Sequence, residues 1–159
     1  MEKVKRDVFL LGRLILGGYL LMSGYMHFMQ AATLTSYAAA KGVPYPEQAV
    51  LVTGALLIVA GATILLGFMP GLGVLSLVAF FVPVTFMMHA FWRVSDPAMR
   101  AMELVNFSKN LGLLGAGLMF LGVPTPWPLS LGAKLRPFMP RALVLDGGGH
   151  HGSSAAHPA

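Results

Sequence analysis

Cysteine is absent from this chain of 159 residues, and charge is scarce: Asp, Glu, Lys and Arg make up 11% of it, with only six acids. Without a thiol there is no disulfide exchange, no thiolate nucleophile, no iron–sulfur cluster and no Cys-ligated zinc. A charged fraction below half of the roughly 25% usual in soluble domains excludes an ordinary water-facing globule. No phosphate loop, nucleophilic-serine elbow or zinc-protease helix is present either. Any chemistry must therefore come from His, carboxylates, Lys, Arg or a bound cofactor.

What the chain has instead is apolar length. Hydrophobic residues make up 56% of it and the mean hydropathy is +0.72. The formal charge of +5 would suggest nucleic acid in a soluble protein. Here most Lys and Arg stand at the ends of apolar runs, where they face anionic lipid, so the expected partner is the bilayer and no nucleic acid.

Four spans account for most of the length, with helices expected at about 8–29, 48–69, 72–92 and 97–122. The first follows Lys3, Lys5 and Arg6 and is too long for a signal-peptide core, so it reads as a retained helix. Met69-Pro70-Gly71-Leu72-Gly73 stops the second and allows a tight reversal, making the second and third an antiparallel hairpin. Pro83 should bend the third near Ala79. The apolar run Leu111 to Val123 is too short to span alone, so the fourth helix must start at Asp96-Pro97, an N-cap followed by a first-turn proline.

Between the first two spans, Thr33 to Lys41 reads as a short surface helix ended by Gly42. Residues 124–145 mix apolar and basic side chains, as a membrane-surface segment does, with Trp127 at a depth suited to an interfacial anchor, and 146–159 reads as a disordered tail. Lys3, Lys5, Arg6, Lys134, Arg136 and Arg141 outnumber Lys41, Arg93 and Arg100 on the opposite side, which puts both termini in the cytoplasm. The expected fold is all-α: an integral membrane four-helix bundle with cytoplasmic termini.

This topology collects polar side chains at one depth on the outer side. His27 ends the first span, Glu47 opens the second, His89 and Trp92 end the third, and Glu103, Asn106, Lys109 and Asn110 lie in the fourth. Glu103, Asn106 and Asn110 share a stripe at i, i+3, i+7, with Lys109 beside it. Ionisable groups at membrane depth face a bundle interior or wet cavity and take partners, here Lys109 or Arg100 for Glu103. The expected site is an outward-opening pocket of His89, Trp92, Glu103, Lys109 and Asn110, with His27 nearby. Such groups can hold a quinone head group and exchange its protons, ligate a metal, or simply tie helices together. No ligand spacing marks a metal site, and none is expected. Arg13 reads as snorkelling to the inner head groups, and Gly17/Gly24, Gly54/Gly61 and Gly115/Gly122 read as stripes for close helix packing.

The sequence also resembles the DoxX family of small four-helix membrane proteins. The resemblance is carried by Arg13-Leu14 with Gly17-Gly18 and Ser23-Gly24, by Lys41-Gly42-Val43-Pro44, and by a second helix ending Leu65-Leu66-Gly67. It continues in His89-Ala90-Phe91-Trp92, Glu103 and Phe107-Ser108-Lys109-Asn110-Leu111-Gly112-Leu113-Leu114-Gly115. It implies a bacterial inner-membrane, multi-pass protein from a family named after a subunit linked to thiosulfate:quinone oxidoreduction, and implies fold better than reaction. Many relatives carry a Glu in the second helix, where this chain has Leu56-Leu57. Two functions compete. One is an accessory or quinone-associated subunit of a membrane oxidoreductase, with quinone as the candidate cofactor. The other is a non-catalytic structural or assembly subunit packing on a larger respiratory or photosynthetic complex, or on copies of itself.

Overall fold

The computed structural model describes residues 2–135 and 137. All regular structure among them is helical: α1 (Glu2–Met29), α2 (Ala31–Ala40), α3 (Pro46–Leu66), α4 (Pro70–Met88), α5 (Pro97–Met119) and the short α6 (Leu131–Leu135). Helices α1, α3, α4 and α5 are long and apolar enough to cross a membrane. They form the four-helix membrane fold expected of the sequence, with α2 as a surface helix at one end. The remainder of the surface segment and the tail expected at 146–159 lie outside the described residues.

Helix boundaries follow local chemistry. Proline opens α3, α4 and α5, where its missing N–H costs nothing. Asp96 caps α5, its Oδ1 accepting from the Met99 N–H at 2.8 Å. Gly67 closes α3 in the left-handed conformation, and the hydrogen bonds Phe68 N–H to Thr63 O and Gly67 N–H to Ile64 O complete the cap. Helix α1 begins at Glu2, ahead of the apolar run, while α4 ends at Met88, short of the expected Trp92, and passes into a 3-10 turn over Phe91–Arg93.

The spans pack in the order α1, α3, α4, α5, whereas α1 and α5 barely approach one another. Leu20, Leu57, Ala60, Ile64, Leu77, Phe80 and Phe81 form the core. Glycines allow α1 and α3 to touch backbone to backbone: a Cβ on Gly61 would lie 2.8 Å from the Leu21 nitrogen, and one on Gly24 2.9 Å from the Gly54 carbonyl. The expected third stripe is not a packing surface within this chain. Nothing lies within 4 Å of a Cβ built on Gly115 or Gly122, and it is Gly117 that meets Leu77.

Arg13 corrects a second expectation. It is 1% exposed and does not snorkel. Its Nε donates to Ile64 O at 3.1 Å, Nη2 to Leu65 O at 2.9 Å and Nη1 to Pro128 O at 2.8 Å. The last carbonyls of a helix lack intrahelical partners and carry the negative end of its dipole, so the end of α3 supplies what a carboxylate otherwise would. The guanidinium also faces the rings of Phe9 and Trp127 at 5.8 and 5.3 Å. Trp127 is wholly buried against Phe9 and Phe120, so it anchors chain to chain rather than chain to membrane interface.

Candidate functional site

At the opposite end of the bundle from Arg13, three side chains converge on one carboxylate. Glu103 lies two turns into α5 and is 6% exposed. Its Oε2 accepts from His89 Nδ1 at 2.8 Å, and its Oε1 accepts from the Lys41 ammonium and from the Tyr37 hydroxyl at 3.3 Å. Because a carboxylate can only accept, His89 must carry its proton on Nδ1, which leaves Nε2 as the ring's other functional nitrogen.

Each partner arrives by a local device. His89 caps α4, leaving helical geometry at φ −115°, and the turn that follows leads directly into α5. Lys41 ends α2, where Gly42 at φ 75° reverses the chain and the Val43 N–H bonds back to Ala38 O. Tyr37 stands one turn earlier on the same helix, with the Lys41 ammonium 5.4 Å from its ring centre. Buried Ala38 seats α2 on the bundle. Burial lowers the affinity of Lys41 for its proton, yet the hydrogen bond to Glu103 and the neighbouring charges prevail and hold its pKa above the ordinary value. Burial, and then the Glu103 charge, push the Tyr37 phenol up.

A wall of aromatic rings adjoins the cluster. Phe86, Phe91, Trp92 and Phe107 stack with centroids 5.0–6.4 Å apart, three of the four contributed by the stretch that carries His89. One turn before His89, the buried Thr85 Oγ1 has no hydrogen-bond partner among the described residues.

Of the residues expected from sequence, His89 and Glu103 are in direct contact, Trp92 stands in the aromatic wall at 48% exposure, and Asn110 is buried on α5. His27 takes no part in the cluster: its Nδ1 donates to Ser23 O at 2.8 Å and its ring meets Phe80 edge to face. Lys109 is exposed, donates to Asn106 Oδ1 at 3.2 Å, and faces α1 residues. Glu103 is thus paired with Lys41 and His89, not with Lys109 or Arg100. Among the described residues no three His, Asp or Glu side chains converge as a metal site requires. Sequence reasoning missed Lys41 and Tyr37 as partners of Glu103, although Lys41-Gly42-Val43-Pro44 was among the motifs that carried the family resemblance.

A buried carboxylate shared by an amine, an imidazole and a phenol can take up a proton from one partner and pass it to another. It also holds α2, α4 and α5 together. The family model described as DoxX matches residues 8–90, just over half of the chain, taking in α1 to α4 and His89 but stopping before Glu103. No curated protein and no solved structure matches the chain.

Proposed function

As the chain belongs to the DoxX family of membrane proteins, we propose that it is a quinone-associated accessory subunit of a membrane oxidoreductase in the bacterial inner membrane, with both termini cytoplasmic and the Glu103 cluster facing outward. The observation that carries this reading is the proton-exchanging set at one membrane face: Glu103 with His89 on one oxygen and Lys41 and Tyr37 on the other. A quinone head group takes up two protons with two electrons, and the electrons come from a partner subunit. His89 holds a proton on Nδ1 against Glu103 and offers Nε2 toward a bound oxygen. Glu103 stabilises the imidazolium formed when Nε2 is protonated, and Lys41 balances the carboxylate. The apolar wall of Phe86, Phe91, Trp92 and Phe107 suits an aromatic ring, and the buried Thr85 hydroxyl one turn before His89 adds a polar group.

The test compares His89→Ala and Glu103→Gln with the parent protein in native membranes. The expected outcome is a loss of about 100-fold in quinone-linked electron transfer, the scale of a general acid–base group, with the amount of protein unchanged. A fall in protein amount with activity per molecule intact would sink the proposal.

A second reading is favoured by one observation. Gly112 and Gly115 on α5, and Gly122 in the turn that ends it, have nothing within 4 Å of a built Cβ, which leaves a smooth helix face. Such a face suits close packing against another subunit, as a structural or assembly role requires. Native mass spectrometry of the protein taken from its own membrane in mild detergent separates the two. A defined larger assembly with no added small-molecule mass favours the structural role, whereas a stoichiometric quinone-sized mass lost on His89→Ala favours the redox one.

A further inference from the structure

The carboxylate and the imidazole of the outer cluster are largely closed off: the Glu103 side chain is 8% exposed and that of His89 16%. A ligand that bonds to His89 Nε2 therefore needs one of the surrounding elements to move. Helices α4 and α5 are poor candidates. Leu77, Phe80 and Phe81 of α4 lie in the core, and Leu113 and Leu114 of α5 pack against it.

Helix α2 is held far less firmly. Of its ten residues only Ala38 is buried, and its inward side otherwise offers half-buried Ala31, Leu34 and Thr35, so little apolar area seats it on α3. Both of its ends are joints. A single residue, Gln30 at φ −111° and ψ 24°, separates it from α1 without a side-chain cap. Gly42 at φ 75° ends it on the other side, and a Cβ built there meets nothing within 4 Å.

The polar attachments of α2 are few and concentrated. Ser36 bonds within the helix, to Ala32 O. Among the described residues, the side-chain hydrogen bonds that cross from α2 and its cap to the rest of the bundle come from the Tyr37 hydroxyl and the Lys41 ammonium, and both end on one atom, Glu103 Oε1. The other carboxylate oxygen is left to His89. Bonds that share one acceptor are made and broken as a set, and these two side chains are also what covers that acceptor.

We infer that α2 is a lid on the Glu103 site, hinged at Gln30 and Gly42 and latched onto Glu103 Oε1 by Lys41 and Tyr37, a role that rests on the reading of this cluster as the working site. The lid lifts to admit a ligand to His89, and its closure returns an amine and a phenol to the carboxylate. Each latch bond favours the shut state by a factor of about five, so the lid is mostly closed yet opens without unfolding the bundle.

Access to His89 tests this directly, in the purified full-length protein in lipid nanodiscs at pH 7.5. Diethyl pyrocarbonate acylates an imidazole nitrogen that it can reach, and peptide mass spectrometry gives the rate at His89 beside that at His27, which lies outside the cluster. Lys41→Met and Tyr37→Phe are each expected to speed the reaction of His89 about fivefold, and the double substitution more than either, with His27 unchanged. Tyr37→Phe alters no charge, so a rise in that variant reports opening. A thiol placed under the lid by Ala38→Cys should become reactive to maleimide in step with His89, whereas one placed in α4 by Ser76→Cys, equally buried, should not. A rate at His89 that stays at the parent value in both single variants and the double overturns the lid, as does a rise shared by His27 and the thiol at position 76. Neither rate requires electron transfer, so the lid and the quinone reading fail separately. Rates unmoved by the latch substitutions, with quinone-linked transfer still lost in His89→Ala, sink the lid alone; rates that rise as expected in a protein without such transfer uphold the lid and sink the quinone.

Discussion

The two ends of the bundle each bury one charge, and they treat it in opposite ways. Arg13 is met by three backbone carbonyls and two aromatic faces, none of which titrates near neutral pH. Glu103 is met by three side chains, each of which brings it a proton. The arginine end ties α1, the end of α3 and the segment after α5 into a fixed knot. The glutamate end joins a surface helix to two spans through groups that can change protonation state. A charge held by backbone is structural, whereas a charge held by side chains can also do chemistry, and only the second end is a candidate site.

The largest effect should come from breaking the knot. Arg13→Leu strands the carbonyls of Leu65 and Pro128, leaves Ile64 O with the Gly67 N–H alone, and is expected to cost on the order of 3 kcal/mol, with most of the protein lost from the membrane. Glu103→Gln keeps the shape of its side chain and one acceptor oxygen for Lys41 and Tyr37, and His89 can move its proton to Nε2 and accept from the amide, so its accumulation should stay near the parent level. Equal losses from the two substitutions, read by quantitative blotting of membranes and thermal unfolding in detergent, would erase the distinction between the ends.

A smaller effect sharpens the comparison from the other side. In a double-mutant cycle, Lys41→Met and Glu103→Gln should show a coupling of about 1 kcal/mol, since both partners are largely but not fully withdrawn from solvent. A cycle of Arg13→Leu with Glu103→Gln should be additive, because the two share no partner. Coupling between the ends would mean that they communicate through the core.

The smallest effect is a pH dependence confined to the Glu103 end. Lys41 and Tyr37 both hold their protons more tightly in the fold than when free. A raised pKa gives a contribution that is complete below the unfolded value and is lost as pH rises through the folded one, so the contact should be constant at neutral pH and weaken above about pH 10. With no native cysteine to interfere, a thiol introduced by Ala38→Cys under α2 can be probed with maleimide against Ala39→Cys, which is already exposed. The ratio of the two rates should rise only on the alkaline side. A ratio that is flat to pH 11 would show that α2 is held by packing alone.

The contrast also marks what a sequence can tell. Helix existence, the Met69 to Gly73 reversal, the Asp96 cap and the Gly42 stop were legible because each is written in neighbouring residues. The rotation of one helix against another is not written there. Lys109 follows Glu103 by six residues, about 240° around the helix at 3.6 residues per turn, so seating Glu103 in the bundle turns Lys109 outward. Lys41 meets Glu103 across 62 positions, and no local pattern forecasts that pairing. Arg13 was misread for a related reason: its acceptors are main-chain oxygens, which every residue has and no sequence motif distinguishes.

The reach of Arg13 has a consequence for biosynthesis. Its guanidinium bonds to Pro128, 115 positions downstream, and to the end of the third helix in the chain. A nascent first span therefore enters the bilayer with its arginine unpaired, meets two of its three acceptors only when the end of α3 has been made, and waits for the third through the synthesis of every later span. Only when residue 128 has left the ribosome can the charge be enclosed, so the first helix inserted is also the last to be completed.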